Sequence, residues 1–107
     1  MGLRGFGPIY RSGLSFARMA GIMEVTLKYF AWVRERVGTA EERVVLPDSV
    51  ATVRDAILWL KERGEGYAVA FERETVIRAA INQTHASHDS CLHGAREIAF
   101  FPPITGG

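Results

Sequence analysis

The sequence contains a single cysteine, Cys91, so no disulfide can form within the chain. Structural disulfides belong mainly to oxidising compartments, and this scarcity therefore predicts a cytoplasmic protein. No apolar run approaches the roughly 20 residues that a membrane-spanning helix needs, which predicts that the chain does not span a membrane. Basic and acidic residues number 13 and 12, so the sequence also lacks the positive excess that is typical of nucleic-acid-binding proteins.

Acidic residues are absent from the first 22 positions, which carry Arg4, Arg11 and Arg18. This glycine-rich segment has no sustained helix or strand period, so we predict that residues 1–22 form a flexible extension outside the core. A misplaced translation start before Met23, or residues added for expression, explains the segment better than organelle targeting. The reason is that its glycines would break the amphipathic helix of a targeting segment. The length of 107 residues fits one small domain.

From Met23 onward, apolar residues alternate between the period-2 pattern of half-buried strands and the 3.6-residue pattern of helices. The predicted order is a strand at 23–29, a short helix at 30–37, a strand at 42–46, a main helix from Thr52, and strands at 76–81, 84–87 and 97–101. Thr52 and Asp55 resemble a capping box, and the weakly patterned residues 65–75 predict a loop with a helical turn. This order predicts an α+β protein with a β-grasp fold, whose mixed sheet of four to five strands wraps over one main helix.

The sequence ends in Gly106 and Gly107, after two prolines that would stop the last strand at Phe101. The six residues after Phe101 could reach about 20 Å if fully extended, far enough to enter the active-site channel of another protein. Glycine has no Cβ, so such a channel could close around bare backbone. We therefore predict a domain at 23–101 and an extended tail at 102–107, with the α-carboxylate of Gly107 as the reactive group. A frayed end without a function is the alternative.

Three segments carry a family resemblance: YFAWVRERVG at 29–38, AINQT at 80–84 and EIAFFPPITGG at 97–107. With the predicted layout, they resemble the small, ubiquitin-like subunit of molybdopterin synthase, and the resemblance covers essentially residues 23–107. The last segment is the most specific. The sequence departs from the family in two places: residues 1–22 have no counterpart, and Gly94-Ala95-Arg96-Glu97 replaces the usual acidic Gly-Asp-Glu turn before the final strand.

The resemblance implies a sulfur carrier of molybdenum cofactor biosynthesis that is not itself a catalyst. An adenylating, E1-like enzyme would use ATP to activate the carboxylate of Gly107, and a sulfur donor would convert the adenylate to a thiocarboxylate. The large synthase subunit would admit the tail within a heterotetramer and pass the sulfur to a pyranopterin precursor. The carrier would bind no cofactor or metal, because the catalytic groups would lie on its partners.

The resemblance also implies which side chains meet the partners. Gly106 and Gly107 form the reactive end, and the residues expected to contact a partner precede them: Phe101, Pro102, Pro103, Ile104 and Thr105. Phe100 could contribute aromatic surface to the same contact or belong to the core of the domain.

Two other functions stay open. Sulfur carriers and ubiquitin-like modifiers of other pathways, including cysteine, thiamine and tRNA thiolation, also end in Gly-Gly. A β-grasp module that binds partners through its surface, with an inert tail, belongs to a different class. The acceptor of the tail distinguishes the first alternative, and tolerance of a fused C-terminal extension would favour the second.

Other reactive side chains are interpreted as structural. His85 and His88 point to opposite faces of an extended strand, so with His93 they indicate solvated turn histidines in place of a metal site. Cys91 has no basic group fixed beside it and is interpreted as a passive thiol. The charge runs at 41–43 and 72–74 predict solvated faces.

Overall fold

The computed structural model describes residues 22–103, which form one mixed sheet covered by helices on one face. The strands are β1 (Ile22–Tyr29), β2 (Glu41–Pro47), β3 (Arg78–Ile81), β4 (Thr84–Ala86) and β5 (Glu97–Phe101). Their spatial order is β2-β1-β5-β3-β4. β1 pairs in parallel with β5 and antiparallel with β2, and the pairings of β3 with β4 and β5 are antiparallel. The α+β class and the mixed sheet are confirmed.

The predicted N-terminal extension falls almost entirely outside the described residues. Residues 1–21 are not among them, and Ile22 already belongs to β1. β1 therefore begins one residue before the predicted strand at 23–29. Within residues 22–103, no helix is both long and apolar enough to cross a membrane.

The period-2 pattern of the first strands results from burial on one face. Val25, Leu27 and Tyr29 of β1 are almost completely buried beneath the helices, and so are Val44 and Leu46 of β2. Alternate residues point to the opposite face of the sheet, which the helices leave uncovered. The core therefore lies on one side of the sheet.

Helix α1 (Ala31–Val37) follows β1 directly and buries Val33. Gly38 ends it with a φ of 100°, in the left-handed region where a residue with a Cβ is strained, and the Gly38 amide donates to the Arg34 carbonyl. The end of the helix predicted at 30–37 is confirmed.

Helix α2 (Val53–Lys61) is the main helix, and its capping box is present as predicted. The Asp55 amide donates to Thr52 Oγ1 at 3.2 Å, and the Thr52 amide donates to Asp55 Oδ2 at 3.2 Å. These bonds satisfy amides of the first turn that have no partner within the helix. The stripe that the helix buries against the sheet consists of Val53, Ala56, Ile57 and Leu60.

Residues 65–75 are more ordered than the sequence predicts. Glu65–Ala70 form helix α3, and Glu74–Val76 form a 3₁₀ turn, so β3 begins two residues later than predicted. The predicted helical turn is therefore a longer helix, which forms although it contains Gly66, a residue of low helix propensity. A Cβ on Gly66 would lie 2.7 Å from the Arg36 carbonyl oxygen. Gly66 is thus required by the close approach of α1 and α3.

Candidate functional site

The predicted reactive tail leaves the domain from the centre of the sheet. β5 lies between β1 and β3, where Phe100 is opposite Tyr29 and Phe101 is opposite Arg78. Strand pairing ends at Phe101, because Pro102 follows it and has no N–H to donate. We define Phe101–Pro103 as the root of the tail: β5 is held on both sides up to Phe100, and β3 also pairs with Phe101.

The structure describes only part of the predicted site. Phe101, Pro102 and Pro103 are half-buried, whereas Ile104, Thr105, Gly106 and Gly107 lie outside the described residues. The reactive role of Gly107 and the contacts of these residues with a partner stay predictions.

Helix α1 begins beside the root of the tail. The Phe30 amide donates a 3.1 Å hydrogen bond to the Phe100 carbonyl, and the Phe30 side chain is 48% exposed. Ala31 has a φ of 54°, a left-handed conformation that costs a residue with a Cβ about 1–2 kcal/mol. This turn places the first residues of α1 next to the end of β5.

The two adjacent phenylalanines of β5 have different roles. Phe100 is fully buried, its ring stacks on Tyr29 with 6.3 Å between centroids, and it meets Phe71 edge-on at 5.3 Å. The structure therefore assigns Phe100 to the core, a question that the sequence left open. Phe101 points to the uncovered face, with its ring 6.2 Å from that of His85. Of the two, only Phe101 is available to a partner.

The turn before β5 is held by Asn82 of the resemblance segment AINQT. Asn82 Oδ1 accepts hydrogen bonds from the Arg96 amide at 2.8 Å and the Glu97 amide at 3.1 Å. Its Nδ2 donates to the Gly94 carbonyl at 3.3 Å. Asn82 and Gln83, with φ values of 51° and 71°, form the turn between β3 and β4. Residues 94–97 differ in charge from the family pattern, but their backbone is held in place by the side chain of Asn82.

The solvated face predicted for residues 41–43 is wrong at Glu42. Its Oε2 accepts hydrogen bonds from Tyr29 Oη and Tyr67 Oη, both at 2.7 Å, and from Arg63 Nη1 at 3.1 Å. Glu42 has the same strand parity as the buried Val44, and this parity was the signal that could have revealed its position. We call Glu42 with Tyr29, Tyr67 and Arg63 the Glu42 junction.

The Glu42 junction shifts the pKa of its members. Burial alone would raise the pKa of Glu42, but hydrogen bonds from Tyr67 and Tyr29 and the nearby Arg63 outweigh it and hold the pKa below its ordinary value. Burial, followed by the hydrogen bond to Glu42, raises the pKa of Tyr29 and also that of Tyr67. All four groups are engaged with one another, which makes the junction a structural connection between β2 and the helices and not a reactive site.

Among residues 22–103, no group of three or more His, Cys, Asp or Glu side chains is placed to hold a metal ion. His88 is not solvated as predicted: it is half-buried, and its Nε2 lies 2.7 Å from the Ile77 carbonyl oxygen. His85 and His93 are exposed. Cys91 is also exposed, and its sulfur accepts a bond from the His93 amide at 3.3 Å.

Comparison with known proteins gives consistent matches. Residues 27–107 match the ThiS family. The chain is 38% identical over 79 residues to the molybdopterin synthase sulfur carrier subunit of Haemophilus influenzae, which covers 74% of the chain and 94% of that protein. It is 37% identical over 83 residues to the protein of the same name from Escherichia coli, which covers 78% of the chain and 99% of that protein.

Solved structures agree with the fold. A Pyrococcus furiosus protein named molybdopterin converting factor, subunit 1, is 29% identical with a TM-score of 0.57 and covers 76% of this chain and 98% of its own. The small archaeal modifier protein 1 of Haloferax volcanii is 28% identical with a TM-score of 0.56, and the coverage is again 76% and 98%.

Proposed function

Because this chain belongs to the ThiS family, we propose that it is a sulfur carrier that acts as the small subunit of a molybdopterin synthase. The observation that carries the proposal is the match to two molybdopterin synthase sulfur carrier subunits over nearly their full lengths. The family match also runs through Gly106 and Gly107, the residues that the proposed chemistry needs.

The proposed reaction takes place on the terminal carboxylate of Gly107. A free carboxylate is a poor acyl donor, so an E1-like partner first joins it to the AMP part of ATP and releases pyrophosphate. Nucleophilic sulfur at the oxidation level of sulfide then forms a C–S bond as the C–O bond to AMP breaks, which leaves a thiocarboxylate. ATP is bound and consumed by that partner, and the carrier itself holds no cofactor.

Delivery follows in the large synthase subunit. The tail, with Ile104 and Thr105, enters this subunit and presents sulfur to a pyranopterin precursor, while Phe101, Pro102 and Pro103 contact the entrance. The central position of β5 supports this arrangement, because a strand held on both sides up to Phe100 fixes the point from which the tail starts. We propose that the complex is a cytoplasmic heterotetramer.

The test is the intact mass of the purified chain after incubation with the adenylating enzyme, ATP and a sulfur source. Replacing one carboxylate oxygen by sulfur should add about 16 Da, and the gain should locate to the tail peptide. Deleting Gly106 and Gly107 should abolish the gain. The deletion should also leave the unfolding temperature unchanged, since the last strand ends at Phe101. A truncated chain that still gained the mass and supported sulfur transfer would refute the proposal.

The likeness to small archaeal modifier protein 1 favours one second candidate, a carrier whose tail is joined to proteins. The two functions share the activated tail and differ in the acceptor. Incubating the thiocarboxylated chain with the large synthase subunit and the pterin precursor should yield a dithiolene product. An isopeptide-linked protein in place of that product would favour the modifier.

A further inference from the structure

A cleft of about 350 Å³ lies between α1, α3 and the segment that leads into β3. Its walls are formed by Trp32 and Arg36 of α1, Ala70 of α3, and Glu72, Arg73 and Val76. β3 starts two residues after this wall, and its first residue, Arg78, pairs with Phe101. α1 starts one residue after Phe30, which binds the Phe100 carbonyl. The cleft therefore lies at the end of the domain from which the tail leaves.

Two arginines line this cleft with free hydrogen-bonding capacity. The guanidinium carbon of Arg36 lies 4.5 Å from the centroid of the Trp32 ring, so the charged group rests on the indole. Stacking of this kind occupies the face of a guanidinium and leaves the N–H groups at its edge available. Within residues 22–103, neither Arg36 nor Arg73 has an ion pair or a side-chain hydrogen bond.

Three basic side chains in or near α2 are already engaged with carboxylates. Arg54 pairs with Asp89, Lys61 with Glu74 at 3.0 Å, and Arg63 with Glu42 at 3.1 Å. Two guanidiniums that find no acceptor among the described residues line one cleft together with Glu72, which gives its lining a positive excess. A carboxylate is the group that best matches guanidinium edges, because it can accept two parallel N–H bonds.

We propose that this cleft receives an aspartate or glutamate side chain of the large synthase subunit while the tail is inserted into that subunit. The inference rests on the proposed function. The reacting carboxylate of this chain is not the proposed occupant, because under the proposed function it is inside the large subunit at that moment. The partner that receives the tail must meet the root, and an acidic side chain at the entrance would neutralise Arg36 and Arg73 there.

The contact would fix the orientation of the domain on its partner. Electrostatic complementarity accelerates encounter and sets the register of an interface. Because the Trp32 ring holds Arg36 in place before binding, less conformational freedom is lost when the carboxylate arrives.

The test compares Arg36→Ala, Arg73→Ala and the double variant with Arg54→Ala, which removes the same charge from a site outside the cleft. Binding of each full-length chain to the purified large subunit is measured by calorimetry at low and physiological salt, and folding is checked by thermal unfolding. Each cleft variant should weaken binding about tenfold or more, with a smaller salt dependence, whereas Arg54→Ala should bind like the wild type. All of these variants should gain about 16 Da with the adenylating enzyme, ATP and a sulfur source at the wild-type rate.

Three results would overturn the inference. In the first, the cleft variants bind the large subunit as tightly as Arg54→Ala does. In the second, they slow only the mass gain, which would assign the cleft to the adenylating enzyme. In the third, the wild-type chain neither binds the large subunit nor gains mass, and the proposed function fails together with the inference. Weak binding by the cleft variants with a normal mass gain supports it.

Discussion

The hydroxyl of Tyr29 donates a 2.7 Å hydrogen bond to Oε2 of Glu42, and this bond joins a fully buried aromatic side chain to a carboxylate at the edge of the core. The same oxygen accepts from Tyr67, and the ring of Tyr67 lies under the guanidinium of Arg63 at 4.9 Å. A buried hydroxyl without an acceptor is costly. Glu42 therefore allows two tyrosines to pack where α3 meets the sheet.

We expect Glu42→Ala to destabilise the fold by about 2–3 kcal/mol, because the buried Tyr29 hydroxyl would lose its acceptor. Tyr29→Phe should cost about 1–2 kcal/mol in the wild-type background. In the Glu42→Ala background, Tyr29→Phe should be neutral or stabilising, because the hydroxyl that it removes has already lost its acceptor. Urea unfolding of the four proteins forms a double-mutant cycle that measures the coupling.

The matched control for this cycle is Glu41→Ala, which removes an exposed glutamate from the adjacent position of β2. It should change stability by no more than about 0.5 kcal/mol. If the effects of Tyr29→Phe and Glu42→Ala simply added, the bond between them would have no energetic role.

Stability is also expected to decrease at acidic pH through Glu42. Its pKa is lower in the folded chain than its ordinary value, because bonds from the two tyrosines and Arg63 outweigh the effect of burial. The unfolded chain therefore binds the proton more readily. The stability from the charged form is complete above the ordinary pKa and is lost as the pH falls through the folded pKa.

Urea midpoints measured from about pH 7 to about pH 3 test this expectation. Glu42→Gln cannot titrate, so its midpoint should fall less than that of the wild type over the same range. Other carboxylates, such as Asp55 in the capping box, titrate in both proteins and cancel in the difference. Parallel pH profiles of the two proteins would show that Glu42 does not contribute.

The sequence predicted the elements whose burial follows a simple period. β1, β2, α1, α2 and β5 were all predicted with small errors at their ends, because each has one apolar face, and Thr52 and Gly38 carry local cap signals. Glu42 could not be located by charge alone, since its partner Tyr67 is 25 residues away in sequence. The acceptor contacts of Glu42 are tertiary, and a charge run contains no information about them.

The sequence predicts α3 only as a helical turn within a loop, and a substitution at Gly66 tests how this helix packs. Alanine has a higher helix propensity than glycine by about 1 kcal/mol, so propensity alone predicts that Gly66→Ala is stabilising. A Cβ at this position would lie 2.7 Å from the Arg36 carbonyl oxygen, and its other near contacts are also backbone atoms of Arg36 and Val37, which cannot rotate away as a side chain can. We expect the clash to dominate and to cost about 1–3 kcal/mol.

Gly64→Ala is the control for this substitution. Gly64 precedes α3, its φ of 163° is extended backbone, and a Cβ there would meet nothing closer than Tyr67 Cδ2 at 3.7 Å. Thermal unfolding should separate the two variants, with Gly64→Ala close to the wild type. A Gly66→Ala protein as stable as Gly64→Ala would mean that α1 and α3 can move apart without cost.

The candidate site could be predicted only in part. The sequence shows the reactive residues of the tail, whereas the orientation of the residues before it depends on how the strands pair. Pro102 marked the end of the last strand, and this was confirmed. The different roles of Phe100 and Phe101 depend on strand parity relative to the helices, which required the register of β5 between β1 and β3. The cleft around Trp32 and Arg36 joins segments that are about 40 residues apart, so no local pattern indicates it.

The last prediction concerns Phe100 and Phe101, which lie on opposite faces of the sheet. Replacing Phe100 should mainly reduce the stability of the fold, and replacing Phe101 should mainly reduce partner binding. Phe100→Ala removes a fully buried ring that contacts Tyr29 and Phe71, and it should destabilise the fold by about 3–5 kcal/mol. Phe101→Ala removes a half-buried ring from the uncovered face and should cost less than about 1.5 kcal/mol.

For binding to the partner, the variant with the small effect on stability, Phe101→Ala, should have the large effect. Phe101→Ala should weaken binding to the large synthase subunit about tenfold or more, because aromatic side chains at the centre of an interface contribute most of its affinity. His85→Ala is its control, since it removes the neighbouring ring on the same face without changing the root of the tail. Chemical unfolding and calorimetric titration measure the two effects separately. If Phe101→Ala bound normally while remaining folded, Phe101 would not belong to the partner surface, and the contact would have to begin further along the tail.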